Sequence, residues 1–283
     1  MSVISKVRPR RESGAHLLED PRYELLPLGG LDSQLPYLPA DAAVTVTSSP
    51  SRGTMATLEL AERLAVLGLR PVPHLAARQM RDETELVEVL QRLDNAGIRD
   101  AFVVGGDGTG GAFKNGLELL EAMTAIGHRL DHIGVPSYPE GHHLIDDETL
   151  WADLHAKQQY ATYTVTQMCF DAETIAKFVC TLRSNGIVLP AVAGIPGITD
   201  AARLLRVSLR IGIGDSIKFV RGNLAMVKKL LRLGGYRPES LVRKLSARMR
   251  SGECDLAGVH IYTFNHVEAT VRWVQQLRSR GIA

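Results

Sequence analysis

The sequence predicts a single α/β domain folded as a (β/α)8 barrel, a TIM barrel, with an extra helical segment before the last strand. Three observations lead there. Short apolar or β-branched runs lie near Glu24, Val46, Val72, Val103, Val135, Val165, Val192 and His260, eight in all, and most are separated by stretches with helical spacing of apolar residues. Alternation of strand and helix forces parallel pairing through crossovers, and eight such units close naturally into a barrel. The length, 283 residues, also suits one barrel, and no linker or repeat divides the chain. An open doubly wound sheet is the alternative, because local pattern does not show closure.

Residues 1–20 are polar, carry Gly14 and have no convincing period, so they read as a loose N-terminal arm ahead of a barrel over 21–283. Order is expected from the run Arg22-Tyr23-Glu24-Leu25-Leu26, a strand ended by Pro27 and the pair Gly29-Gly30. Only a brief helical turn fits within 31–38 before the β-branched strand at 42–47. Thr54 then stands as the cap of a helix reaching Gly68, with Leu58, Leu60, Ala61, Leu64 and Leu67 at helical spacing. The run Arg70-Pro71-Val72-Pro73-His74-Leu75 is the third strand. Asp82 opens a helix marked by Leu86, Val89, Leu90 and Leu93 and stopped at Asn95-Ala96-Gly97.

The fourth strand, 98–104, runs into Gly105-Gly106-Asp107-Gly108-Thr109-Gly110-Gly111, and a helix follows to about Gly127. Ile133-Gly134-Val135 is the fifth strand, broken by Pro136 and Pro139. Residues 149–159 look helical, 161–167 form a strand, and Asp171 caps a helix closing at Asn185-Gly186. A strand over 187–193 follows. Residues 199 to about 233 read as helical with a break near Gly212 and Gly214, and 238–249 as a further helix. The last strand, 257–262, and the last helix, 267–278, complete the pattern.

Composition narrows function mainly by exclusion. Hydrophobic residues make up 45% of the chain and net charge is +2 with mixed signs, so neither a nucleic-acid nor a membrane surface is expected. The excess of positive charge at residues 6–11 reads as part of a solvated tail. Cys169, Cys180 and Cys254 have no CxxC spacing, which points to reduced thiols and a cytoplasmic protein. No apolar h-region or 18-residue apolar run occurs.

In a barrel the active site lies at the carboxyl ends of the strands. Those ends carry Glu24, Thr47, His74, Asp107, Tyr138 with Glu140 and His142, Gln167, and Tyr262 with Asn265. Any one of them alone reads as structural; their recurrence at strand after strand is the signal. Glu24 stands out because a carboxylate inside an apolar strand requires a wet cavity or a partner. His142-His143 with Glu140 lacks the i,i+4 spacing of helical metal ligands, so a role in hydrogen bonding an anionic ligand is expected and no metal.

The glycine run at 105–111 has three readings. Gly106, Gly108 and Gly111 fall at GxGxxG spacing, yet the acidic residue expected at the end of the next strand is missing, which favours a barrel loop over a dinucleotide fingerprint. The Gly-Gly-Asp-Gly-Thr segment also resembles the diphosphate-binding motif of NAD kinases and diacylglycerol kinases, which would imply a phosphotransferase. Its place at the fourth strand of a barrel pattern argues against that.

Six blocks carry a broader resemblance. Tyr23-Glu24-Leu25-Leu26-Pro27, Pro73-His74-Leu75, Gly106-Asp107, Tyr138-Pro139-Glu140-Gly141-His142, Thr166-Gln167-Met168-Cys169-Phe170-Asp171 and His260-Ile261-Tyr262-Thr263-Phe264-Asn265 resemble, in order, blocks of the methylenetetrahydrofolate reductase family. The fourth and fifth blocks are the specific ones. The resemblance implies a (β/α)8 barrel using FAD, with NADH or NADPH as co-substrate, to interconvert 5,10-methylenetetrahydrofolate and 5-methyltetrahydrofolate. It implies Glu24 as general acid and Asp107 as the carboxylate tuning flavin and pterin. It further implies Thr47, His74, Gly106, Tyr138, His142 and Lys157 as cofactor-binding, and Gln167, Tyr262 and Asn265 as binding a tetrahydrofolate derivative. A homo-oligomer is expected.

The chain departs from the family pattern in several places. Gly105 stands where the family usually has Arg, removing a cation beside the flavin. Asp153, His155 and Lys157 keep part of a FAD-holding set, the Thr199-Asp200-Ala201 region lacks an expected aromatic residue, and His266 stands where Arg is common. This divergence motivates the expectation that the enzyme runs toward 5-methyltetrahydrofolate oxidation in a demethylation route. A folate-binding barrel without catalysis is a further alternative.

Overall fold

The computed structural model describes residues 17–48, 52–108, 110–142, 144–200 and 237–282. Its strands are β1 (Arg22–Leu25), β2 (Ala43–Val46), β3 (Arg70–Ala76), β4 (Asp100–Val104), β5 (His132–Ser137), β6 (Tyr163–Thr166), β7 (Ala191–Pro196) and β8 (Leu256–Tyr262). All pair in parallel in sequence order, and β8 pairs with β1, so the sheet is a closed barrel rather than an open doubly wound sheet. Register at the seam sets Arg22 opposite both Ala43 and His260.

Among the described residues the outer layer contains α1 (Gly53–Val66), α2 (Glu83–Asn95), α3 (Gly116–Ile126), α4 (Asp147–Lys157), α5 (Ala172–Ser184), α6 (Glu239–Arg250) and α7 (Val267–Ser279). Four of these begin on a side-chain cap. Asp82, Asn115, Asp146 and Asp171 each accept a hydrogen bond from the backbone N–H three residues on, satisfying an otherwise orphaned donor. Asp146 therefore starts α4 two residues before the expected Thr149. Thr54 is not a cap: α1 begins at Gly53, and the Thr54 hydroxyl is buried inside its first turn. The β1 to β2 connection holds only a 3-10 turn at Leu35–Tyr37, as the short crossover suggested. Most of the helical stretch expected at 199–233 lies outside the described residues, and so do residues 1–16 of the expected arm. Leu17 and Leu18 are buried in the core, and Asp20 pairs with Arg70 at 2.5 Å.

Apolar packing divides into two shells. The larger lies between strands and helices and includes Leu25, Val44, Leu75, Val103, Val135, Ile261 and the inward faces of the helices. The smaller fills the barrel itself with Val72, Phe102, Tyr163, Val165 and Val192. Gly134 belongs to that interior because a Cβ there would stand 2.4 Å from the Tyr163 ring and 2.6 Å from Phe102. The absent side chain is what admits two aromatic rings.

The amino-terminal end of the barrel is sealed by charge. Arg22 Nη1 donates to Asp100 Oδ2 at 2.8 Å and to the Tyr163 hydroxyl at 3.2 Å, and that hydroxyl donates to Asp100 Oδ1 at 2.9 Å. The guanidinium also lies 4.2 Å from the centre of the Tyr163 ring. With the floor closed and the middle filled, polar chemistry is left to the carboxyl ends of the strands.

Candidate active site at the barrel mouth

Side chains alternate across a strand, so Glu24 shares the inner face of β1 with Arg22, one layer higher. Its Oε2 lies 3.1 Å from His260 Nε2, and His260 Nδ1 lies 3.4 Å from Thr45 Oγ1. The Glu24 side chain is 13% exposed and that of His260 only 3%, so the carboxyl is the member of this chain that meets the mouth. The anomalous carboxylate of the first strand thus has the partner its burial requires.

The Glu24 backbone is pinned from β8. Thr263 Oγ1 donates to the Glu24 carbonyl at 2.5 Å, and the Asn265 amide forms a reciprocal 2.9 Å pair with the N–H and C=O of Leu26. Phe264 and Asn265 adopt φ of 52° and 55°, the left-handed turn that brings that amide back onto β1. Asn265, expected to meet substrate, bonds through its amide to Leu26, the residue just past β1.

His74, on the inner face of β3, is buried with its ring 4.9 Å from that of Phe102. Burial pushes its pKa down to about 4; nearby Glu24 opposes this and His260 reinforces it, so the ring is neutral. His74 Nε2 and Thr47 Oγ1 are both buried without a hydrogen-bond partner.

A second sector gathers after β4 and β5. The Tyr138 ring stands edge-on to His142, centroids 5.2 Å apart. Burial pushes the Tyr138 phenol up to about 12, with Asp153 and Asp107 adding to the shift and Arg78 opposing it. The Tyr262 hydroxyl, raised first by burial and then by Glu24 and Tyr138, joins the two sectors and donates to the Thr166 carbonyl at 3.4 Å. Gln167 and Asp107 are exposed at the rim. Lys157 is buried and paired with Asp153, its Nζ 3.3 Å from where a Cβ on Gly116 would be, at the start of α3. His143 and Thr109 lie outside the described residues.

One residue escaped sequence reasoning. Arg78, in the 3-10 turn after β3, donates from Nη1 to the Gly106 carbonyl at 3.0 Å and from Nε to the Lys114 carbonyl at 2.9 Å. Its Nη1 stands 3.9 Å from where a side chain at Gly105 would begin. The cation absent from the fourth strand is therefore matched by one arriving from the third. Only that absence hinted at it; no spacing in the sequence links 78 to 105.

The same contact explains the glycine run. A Cβ on Gly106 would lie 2.7 Å from Ala76 Cβ, and one on Gly111 2.5 Å from the Arg78 carbonyl carbon. The glycines let the loop lie directly on the exit of β3. The following helix starts only at Gly116, behind the Asn115 cap, which fits a barrel loop better than a phosphate loop running straight into a helix. Cys169 is buried, its thiol pushed up to about 12 mainly by burial, and is not poised as a nucleophile. Among the described residues no cluster of three His, Cys, Asp or Glu could hold a metal, and no helix is long and apolar enough to cross a membrane.

Comparison with known proteins shows the family. The methylenetetrahydrofolate reductase family profile matches residues 35–278. Methylenetetrahydrofolate reductase (NADH) 1 of Arabidopsis thaliana is 27% identical over 239 residues, 74% of this chain and 40% of that protein. Methylenetetrahydrofolate reductase 2 of Saccharomyces cerevisiae is 25% identical over 155 residues, 50% of this chain and 26% of that protein. The matches thus span less than half the length of either relative. Among solved structures, the spore cortex-lytic enzyme SleL of Bacillus cereus superposes with a TM-score of 0.51 at 9% identity, covering 90% of this chain and 74% of that one, a likeness of fold alone.

Proposed function

The chain belongs to the methylenetetrahydrofolate reductase family, and from that premise we propose that it interconverts 5,10-methylenetetrahydrofolate and 5-methyltetrahydrofolate, with FAD as redox group and NADH or NADPH as its partner. The observation that carries this reading is Glu24, a carboxyl held at the mouth by the shielded His260. A carboxylic acid beside the substrate suits the one proton transfer that opening the folate ring demands.

Two orphaned polar atoms near the mouth support a ligand with a polar edge. His74 Nε2 and Thr47 Oγ1 are buried and lack partners, and an isoalloxazine edge supplies the donors and acceptors they need. When bound, FAD supplies hydride transfer between the nicotinamide and the one-carbon group. Gly106 brings backbone close, Tyr138 and His142 form an aromatic wall, and Arg78 offers a positive charge to the cofactor's anionic part. Lys157 acts there through Asp153. Asp107 keeps a negative charge at the rim, Gln167 and Tyr262 bind the pterin, and Asn265 serves substrate by holding Leu26, next to the acid.

In methylene reduction Glu24 gives its proton to folate N10 as the carbon–nitrogen bond to that atom breaks. In the reverse direction the resulting carboxylate takes that proton back. We place the physiological flux in the oxidative direction, toward demethylation, on the strength of the departures in the Thr199-Asp200-Ala201 region and at His266. The test is purified protein titrated with FAD, followed by assays of both directions with NADH and NADPH. A flavin spectrum, menadione-coupled NAD(P)H oxidation and folate turnover are expected. Failure to bind FAD together with no turnover of either folate overturns the reading, and fast methylene reduction with no methyl oxidation overturns the direction.

A further inference from the structure

We infer that His260 and Thr45 are positioning residues that fix which oxygen of Glu24 carries the acidic proton, a role that rests on the proposed folate chemistry. The register makes this possible. β1 lies between β8 and β2, with Glu24 opposite Tyr262 on one side and Thr45 on the other. His260 comes from the layer below, and its ring spans β1 to touch residues on two different strands, Glu24 through Nε2 and Thr45 through Nδ1. His260 is 2% exposed and Thr45 1%, so water does not compete for Nδ1.

A neutral imidazole has one N–H and one lone pair, and a threonine hydroxyl donates readily. With the Thr45 O–H donating to Nδ1, the ring carries its proton on Nε2 and donates to Glu24 Oε2. That oxygen then acts as the acceptor of the carboxylic acid, and the proton resides on Oε1, the oxygen that His260 does not hold. When Oε1–H passes its proton to the ligand, the bond to Oε2 becomes charge-assisted and stabilises the carboxylate. No proton moves along the chain; His260 and Thr45 keep their own throughout.

Reversal of the tautomer would be unproductive. A bare Nε2 would accept the O–H of Glu24 and hold the acidic proton on the oxygen facing away from substrate. The hydroxyl of Thr45 is what stands against that outcome. Arg22, in register with His260 one layer below Glu24, spends its charge on Asp100; the other titratable groups near the trio are His74 from β3 and Tyr262 from β8, with Tyr138 beyond Tyr262. His74 is neutral and the two tyrosines are protonated phenols, so none of these three supplies a charge near neutral pH.

The test is 15N NMR of histidine-labelled protein, combined with pH profiles of folate turnover for wild type, Thr45→Val and Thr45→Ser. Wild-type His260 is expected as the Nε2–H tautomer, and Thr45→Val, which keeps the shape of the side chain, as a mixture. Relative to flavin reduction by NAD(P)H, methylene reduction in Thr45→Val falls about tenfold, since 1.4 kcal/mol is a factor of ten. The alkaline limb of its profile moves to higher pH, because the acid is now stabilised and the carboxylate has lost a donor. Thr45→Ser restores both. An Nδ1–H tautomer in wild type, or a lowered plateau with the limb unmoved, overturns the assignment. The NMR arm uses no folate, so it stands or falls independently of the proposed reaction.

Discussion

Arg22 and Asp100 tie the first strand to the fourth across the barrel floor, 2.8 Å apart, with Tyr163 bonded to both. Conserving the shape while removing the charge, as in Arg22→Met, leaves Asp100 without its cation in a mostly shielded place. Both side chains keep some exposure, 19% and 16%, so the loss falls below that of a fully buried pair, about 2–3 kcal/mol. Chemical denaturation measures it. Arg22 sits one layer below Glu24 and turns its guanidinium toward Asp100 and Tyr163, so FAD affinity is expected to change less than stability.

Gly134→Ala sets a methyl 2.4 Å from the Tyr163 ring. Overpacking of this kind costs about 1–3 kcal/mol, and the backbone of β5 has little room to retreat inside a closed sheet. A lower thermal midpoint with near-native circular dichroism is the expected result.

His74 gives stability a pH dependence of known sign. Its folded pKa of about 4 lies below the ordinary 6.5, so between those values the unfolded chain binds a proton that the folded one does not. Stability is full above pH 6.5 and is lost as pH falls toward 4, by up to about 3 kcal/mol. His74→Gln flattens that part of the curve in denaturation series run from pH 4 to 7.

Arg78→Met removes the guanidinium beside Gly106 while keeping most of the side-chain volume. FAD affinity, read by flavin fluorescence quenching, is expected to drop about tenfold or more, as for loss of one charge-assisted contact. Raising ionic strength narrows the gap between variant and wild type, since the residue is exposed and its charge is screened.

Glu24→Gln keeps the shape and can still accept from His260 but has no acidic proton to give. Flavin reduction by NAD(P)H survives, and methylene reduction slows by about 10²–10⁴. Stopped-flow separation of the two half-reactions distinguishes this from a general loss of folding.

Most of the barrel was legible because its determinants are local: each strand is a short apolar run, most crossovers have a helical period, and their number, eight, suggests the closure that only the β8 to β1 pairing shows. Asp82 and Asp171 announced their helices for the same reason. Thr54 misled because it is a good cap residue one position inside a helix that starts at a glycine. In the site, residues at strand ends could be named one by one, yet their partners could not. Glu24 and His260 are 236 positions apart, and Arg78 reaches a carbonyl 28 positions away. Asn265 was read as facing ligand, and only the left-handed turn at Phe264 and Asn265 reveals that its amide faces Leu26.

The contact between Arg78 and the Gly105-Gly106 backbone also bears on how such a site changes over generations. An arginine at 105 would start 3.9 Å from Arg78 Nη1 and bring a second like charge to the same stretch, and the loop lies too close to the exit of β3 to move aside. Each therefore lowers the value of the other, and a lineage passing between them must cross an intermediate with both cations or with neither. Gly105→Arg alone is expected to be harmful in this background and acceptable once Arg78 is gone, a sign reversal that ties two positions far apart in sequence into one inherited unit.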